Sequence, residues 1–212
     1  MMRNVMIDCV ETGPLSVNTY IAYIKGGESC IVIDPADAYA VCEYAKNRGL
    51  KIAAVLLTHC HFDHILGVPE LQRNGARLYI GEKDAAGLND RSVSLCFKKL
   101  DEMIPDVLVK DGDIIEEAEL SLKVLDTPGH TAGGVCYVLE ESKAILAGDT
   151  IFCGSVGRTD LSGGDMGTLI ASIRNKLFAM EGDYTLLPGH GNATSLEYER
   201  QHNPYAGRGA RW

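Results

Sequence analysis

No apolar run in this sequence exceeds six residues, well short of the ~18 that a membrane-spanning helix needs. No C-x-x-C pair occurs among the seven cysteines, Cys9, Cys30, Cys42, Cys60, Cys96, Cys136 and Cys153, which are scattered and odd in number. That pattern excludes a disulfide scaffold and a structural zinc knuckle. It fits a reducing cytoplasm, with most of the thiols serving as small buried apolar groups. Basic residues are outnumbered: 20 Lys and Arg against 29 Asp and Glu leave a net charge of -9, which argues against nucleic acid as the main partner. Met1 to Val10 holds one Arg and no apolar core segment, so no secretory signal is expected there. Linkers, low-complexity stretches and short-period repeats are also missing. Histidine is scarce as well, with six in the chain.

The 212 residues, 46% of them hydrophobic, suffice for one full core and not for two ordinary domains, so one domain over 1–212 is expected. Val5 to Val10, Tyr20 to Ile24 and Cys30 to Ile33 read as strands, the last two joined through Gly26-Gly27. Asp37 can cap a helix with Val41 and Ala45 on one face and Gly49 at its end. Ala53 to Leu57 has the continuous apolar character of a strand covered on both faces. A short helix with Pro69 near its start and a strand from Arg77 to Ile80 follow; Glu82 to Pro105 reads as mixed helix and loop over one edge. The second half repeats this grammar. Strands are expected around Leu120-Leu122-Val124, Val135 to Leu139, Ala144 to Ala147 and Tyr184 to Leu187. One helix is capped by Asp165 with Leu169, Ile173 and Leu177 inward, and a last one runs from Ser195 to Gln201. Such alternation predicts an α/β body of two sheets, each covered by helices.

The chemistry concentrates where strands end. Thr58-His59-Cys60-His61-Phe62-Asp63-His64 follows the longest apolar run, and His130, Asp149 and His190 sit in turns after three further runs. A lone His at a strand end is ordinarily a hydrogen-bonded structural residue, as His202 is read to be. Five of six histidines gathering at such turns beside two Asp is a different pattern. Imidazole and carboxylate together suit Zn, Fe or Mn. Seven candidates (His59, His61, Asp63, His64, His130, Asp149, His190) are too many for one tetrahedral ion and fit two, ~3.5–4 Å apart, bridged by Asp149. Cys60 lies between ligands that claim the inward direction and is read as structural.

T-H-C-H-F-D-H, then T-P-G-H-T, G-D-T and P-G-H-G in that order, resemble the metallo-β-lactamase superfamily, and more closely its glyoxalase II-like (hydroxyacylglutathione hydrolase-like) branch. The likeness runs from the Asp34-Pro35 turn to His202-Asn203-Pro204. It implies an αββα sandwich of two mixed β-sheets flanked by helices, with His59, His61 and His130 on one metal, Asp63, His64 and His190 on a second, and Asp149 bridging. Full-length glyoxalase II enzymes add a C-terminal helical domain for which the 22 residues after His190 (212 − 190) leave no room. Asp149 stands where several true β-lactamases carry Cys, which speaks against a β-lactam as natural substrate. Arg158, in the loop Gly154 to Asp160, matches a basic position that contacts substrate in glyoxalase II. It can hold a substrate carboxylate, or pair with Asp160 or Asp165 and shape the loop, whose glycines are expected to leave N–H groups free.

The expected reaction is hydrolysis of a small-molecule thioester by a metal-bridging hydroxide, with Asp63 and Asp149 as catalytic residues and two divalent ions, zinc first, then iron or manganese. A thiolate leaves without acid help, and the motifs offer no evident general acid. A mononuclear iron persulfide dioxygenase is the alternative, with His59, His130 and Asp149 as its triad; lactonase is a third reading. The G-R-T-D run at Gly157 to Asp160 resembles the dioxygenases. Against them stand Gly191-Asn192, where they carry Asp-Tyr, and Leu161, where they place Phe.

Overall fold

The computed structural model describes residues 4–97 and 100–210. Fourteen strands occur among them. The first sheet holds β1 (Val5–Thr12), β2 (Val17–Ile24), β3 (Ser29–Ile33), β4 (Lys51–Leu56), β5 (Arg77–Gly81) and β6 (Val107–Val109), in sequence order. β1, β2 and β3 pair antiparallel and β3 to β6 parallel, so the sheet is mixed. The second sheet contains β7 (Ile114–Glu117), β8 (Leu120–Asp126), β9 (Val135–Leu139), β10 (Ala144–Gly148), β13 (Thr185–Pro188) and β14 (Thr194–Ser195), in the order β14-β13-β10-β9-β8-β7. It too is mixed, parallel at β10–β13 and antiparallel elsewhere. A small hairpin, β11 (Ile151–Phe152) with β12 (Ser155–Val156), stands apart.

Strand alternation explains the layering. Along β3, Ile31 and Ile33 face the second sheet, while Cys30 and Val32 face the helices outside. Tyr137 and Leu139 of β9 turn inward toward the first sheet, and Cys136 and Val138 turn outward. Three apolar layers result: one between the sheets, one under α1 (Ala38–Asn47), α2 (Phe62–Ile65) and α3 (Val68–Arg73), and one under α5 (Met166–Ser172) and α6 (Leu196–His202). This is the expected αββα sandwich. The short α4 (Arg91–Ser94) and a 3₁₀ turn at Ala85–Asn89 make up much of the mixed segment over the edge of the first sheet; residues 98 and 99 of that segment lie outside the described ones.

The caps fall where the side chains can make them. Asp37 accepts from Ala40 N, Asp165 from Thr168 N and Ser195 from Tyr198 N. After α5 the chain continues through a π-helical stretch, Ile173–Leu177, closed by Phe178 N donating to Ile173 O at 2.8 Å, with Leu169, Ile173 and Leu177 all buried. The short strands β6, β7, β11, β12 and β14 were not expected from the sequence. No helix among the described residues is long and apolar enough to cross a membrane.

Candidate metal centre

Both sheets deliver their strand ends to one rim. There Val135 N donates to Thr58 O (2.9 Å) and the Tyr137 hydroxyl to Leu57 O (2.7 Å), tying the turn after β4 to the second sheet. His59 and His61 occupy that turn, Asp63 and His64 the single turn of α2, His130 the loop after β8, Asp149 the residue after β10 and His190 the loop after β13. Ligands of open α/β sheets commonly bind at such a place, beyond the ends of the strands.

Two sets of side chains converge. The ligand atoms of His59, His61 and His130 lie within 4.8 Å of one another, as do those of Asp63, His64 and His190. Asp149 sits between the sets. One of its oxygens is 3.6 Å from His130 Nε2 and 3.7 Å from His190 Nε2, and the other is 3.5 Å from His64 Nε2. Gly189 permits this approach: a Cβ there would stand 2.4 Å from an Asp149 oxygen and 2.7 Å from His64 Cε1. A third grouping, Asp34 with His59 and His64, is of another kind. The Asp34 carboxylate already accepts from Thr58 N (2.8 Å), the Thr58 hydroxyl (2.6 Å) and His64 Nδ1 (3.0 Å), so it orients the site from behind.

Outer partners select the tautomers. Nδ1–H of His59 donates to Thr58 Oγ1 (3.0 Å), His64 to Asp34, His130 to Arg158 O (2.8 Å) and His190 to Leu15 O (3.1 Å). In its neutral form each ring presents an Nε2 lone pair to the centre, where other lone pairs and the carboxylates of Asp63 and Asp149 already crowd. His61 Nδ1 lies 2.9 Å from His130 Nε2, and the buried His59 Nε2, His64 Nε2 and Asp149 Oδ1 have no hydrogen-bond partner. Acceptors facing acceptors in a buried volume require cations between them, so the donor set fits divalent metal ions. The pKa shifts divide the rings: His59 and His61 are driven toward the neutral form, while the carboxylates draw His64 and His190 toward the charged form. Burial, then the neighbouring imidazoles, push His59 far down; burial and His130 push His61 down to about 3. Burial also opposes a charge on His64, but Asp149 and Asp34 outweigh it and hold the ring up at about 9. His190 is raised by its hydrogen bond to Asp63.

Residues 12–190 match the model of the metallo-beta-lactamase superfamily. The chain belongs to that superfamily. It is 31% identical over 185 residues to hydroxyacylglutathione hydrolase GloC of Haemophilus influenzae, covering 84% of this chain and 87% of the relative. Among solved structures it is similar to the BLEG-1 B3 metallo-beta-lactamase (TM-score 0.87, 31% identity, 95% of this chain and 99% of the other). It is also similar to TTHA1623 in a di-iron-bound form (TM-score 0.81, 30% identity, 93% and 99%).

As a member of this superfamily the chain holds further site residues that its motifs do not reveal. The buried Asp84 accepts from Cys60 N (3.1 Å) and Gly133 N (2.6 Å), clasping the turn of His59 and His61 to the loop of His130. Asn18 does the same for His190. Its backbone N–H donates to Gly189 O (2.8 Å), and its side-chain amide donates to Pro188 O (3.0 Å) and Gly191 O (2.8 Å). Asp34, Asp84 and Asn18 each follow or lie within strands and carry no spacing signature, so only their partners betray them. Cys60 is buried outside both sets, with its thiol pushed up by burial and then by Asp84. His202 is exposed at the end of α6 against the Tyr198 ring, away from the centre. The guanidinium of Arg158 forms two 2.7 Å hydrogen bonds to Asp160. The loop glycines do not leave free N–H groups as expected: Gly154 N donates to the Glu199 carboxylate (3.1 Å) and Gly157 N points to Thr150 O (3.5 Å). Gly157 is needed for space, since a Cβ would stand 1.9 Å from Asp149 O.

Proposed function

We propose that this protein is a metal-dependent hydrolase of small thioesters, of the hydroxyacylglutathione hydrolase type, working in a reducing cytoplasm with two divalent ions. One observation carries the reading: Asp149 stands within 3.5–3.7 Å of ligand nitrogens from both sets, the arrangement of a bridge between paired ions. The 31% identity to GloC supports the thioester, and the di-iron form of TTHA1623 makes iron the rival to zinc.

When bound, such ions supply Lewis-acid polarisation of the carbonyl and a water acidic enough to attack at neutral pH. The chain's own part is positional. His59, His61 and His130 would hold one ion and Asp63, His64 and His190 the other, with Asp149 reaching toward both sets. Asp34, Thr58, and the carbonyls of Arg158 and Leu15 keep the rings in the tautomer that offers Nε2. A thiolate departs without a proton donor, which suits a site whose motifs contain no free acid. For Arg158 to bind a substrate carboxylate it must first leave Asp160, so its role as an anion contact is that of an exchangeable partner.

The test is metal content per chain on protein purified without added metal, joined to anaerobic cleavage of S-lactoylglutathione and simpler thioesters, with a β-lactam as control. Two metals per chain and thioester turnover support the proposal. One iron per chain, no thioester turnover, and oxygen uptake with glutathione persulfide would replace it by the dioxygenase. Turnover of the β-lactam alone would overturn it in favour of a lactamase.

A further inference from the structure

A buried carboxylate lies outside both metal-binding sets. Glu199, in α6, is 0% exposed, and no ion pair reaches it among the described residues. Its oxygens accept instead from three neutral groups: the Gly154 N–H (3.1 and 3.2 Å), the Thr194 hydroxyl (2.8 Å) and the Asn203 side-chain amide (2.8 Å). Asn203, just past α6 and also buried, donates to Ser155 O (3.0 Å) as well, while its own oxygen accepts from Tyr205 N and Ala206 N. The two side chains therefore grip the turn of the β11–β12 hairpin by an N–H and a carbonyl. They hold Thr194, at the start of β14, to the same point. Burying a carboxylate without a cation costs free energy that an apolar side chain would not. What this one gains for the fold is the joining of three segments.

The segments joined are those that flank His190. The loop of His190 ends at Thr194, and the hairpin sets the Phe152 ring 6.3 Å from the His190 imidazole. Strand pairing alone does not fix that ring, because each strand of the hairpin has two residues, too few to be stable unaided. Ile151 and Val156 anchor the base of the hairpin in the core under α5 and α6, whereas Phe152 and Ser155, beside the turn, are only half-buried. We infer that Glu199 and Asn203 are positioning residues of the site, a clasp that fixes the hairpin turn to the His190 loop and so holds Phe152 against His190. The hairpin runs on into Arg158, so the clasp also steadies the segment that bears this guanidinium and the carbonyl on His130 Nδ1. The metal ligands keep their own anchors: the His190 loop is tied to Asn18 and the ring to Leu15 O with or without the clasp. Loss of the clasp therefore falls on substrate binding rather than on metal content, a consequence that rests on the thioester reading.

The chain has four phenylalanines, so the zinc-loaded protein labelled with 4-fluorophenylalanine should show four fluorine resonances, each assigned by a single Phe→Leu substitution. Glu199→Ala and Asn203→Ala should each shift and broaden the Phe152 signal. The Phe178 signal should stay in place, although this residue packs under α6 and its carbonyl accepts from Arg200 Nε (3.0 Å). In hydrolysis of S-lactoylglutathione, each variant should raise KM severalfold and lower kcat less. Glu199→Gln, which keeps one acceptor oxygen, should fall between Glu199→Ala and the parent. The double variant should lose less than the product of the two single losses, because the side chains act as one unit. A Phe152 signal unmoved in both single variants overturns the clasp and leaves the thioesterase standing. Phe152 and Phe178 signals that move together show a general loosening of α6 and also overturn it. A fall in kcat at constant KM overturns the assignment to substrate binding. A Phe152 signal that moves alone, with no thioester turned over by the parent protein, keeps the clasp and overturns the thioesterase. Should Glu199→Ala fail to fold, Glu199→Gln and Asn203→Ala decide by the same readouts.

Discussion

His59, His64, His130 and His190 each have their outer nitrogen committed to a fixed acceptor, which leaves the inner lone pair no choice of direction. At this scale a single side chain decides whether an ion is held. His190→Ala removes a ligand from one set only, so metal content measured by mass spectrometry should fall from about two ions per chain toward one. Asp84→Ala acts differently. It strands two buried N–H donors, those of Cys60 and Gly133, each worth about 1–3 kcal/mol when unsatisfied. Urea unfolding of the metal-free protein should show a loss of about 2–5 kcal/mol, and an unchanged midpoint would show that water reaches those donors.

At the scale of elements, the loops that carry the site are held from opposite sheets. Strand β2 reaches across to the β13 loop through Asn18 and the Tyr20 hydroxyl, which donates to Pro188 O at 2.9 Å. Asn18→Ala should therefore weaken metal binding at Asp63, His64 and His190 about 10–100-fold while the first set keeps its affinity. Chelator competition resolves the two constants, and equal weakening of both would argue for a general loosening instead. The start of α5 is tied to the His130 loop, since Asp165 N donates to Gly129 O at 2.8 Å while its carboxylate caps the helix. Loss of that cap in Asp165→Ala should cost about 1 kcal/mol in chemical denaturation.

For the whole molecule, ions held by residues from both sheets would act as a staple across the sandwich rim. Ligation of the native state alone stabilises by RT ln(1 + [L]/Kd), about 2.7 kcal/mol at a hundredfold excess over Kd. A chain of this length gains about 2–4 °C in Tm per kcal/mol. Stripping the metals with a chelator should therefore lower Tm by about 5–10 °C, and a Tm indifferent to the chelator would mean that the sets hold no ion in the folded protein.

Much of this was legible in the sequence, for reasons that are local. A strand that is apolar on both faces, a capping Asp or Ser, and a His or Asp just beyond a strand end are all written in consecutive residues. So were β4, α1, α5 and the seven residues that gather at the rim. The ordered motifs shared with the metallo-beta-lactamase superfamily carried the sandwich itself. The short strands β6, β7, β11, β12 and β14 were not legible, because two to four residues hold too little pattern and pair only when a neighbour presents an edge. The supports of the site, Asp34, Asp84 and Asn18, were silent as well. A buried carboxylate or amide is defined by the donors and acceptors that surround it, and those come from segments as far as 173 residues away. Sequence determined which groups could bind metal; the tertiary structure alone decided their tautomers, their spacing and what the site shows to a substrate, because those depend on contacts between distant segments.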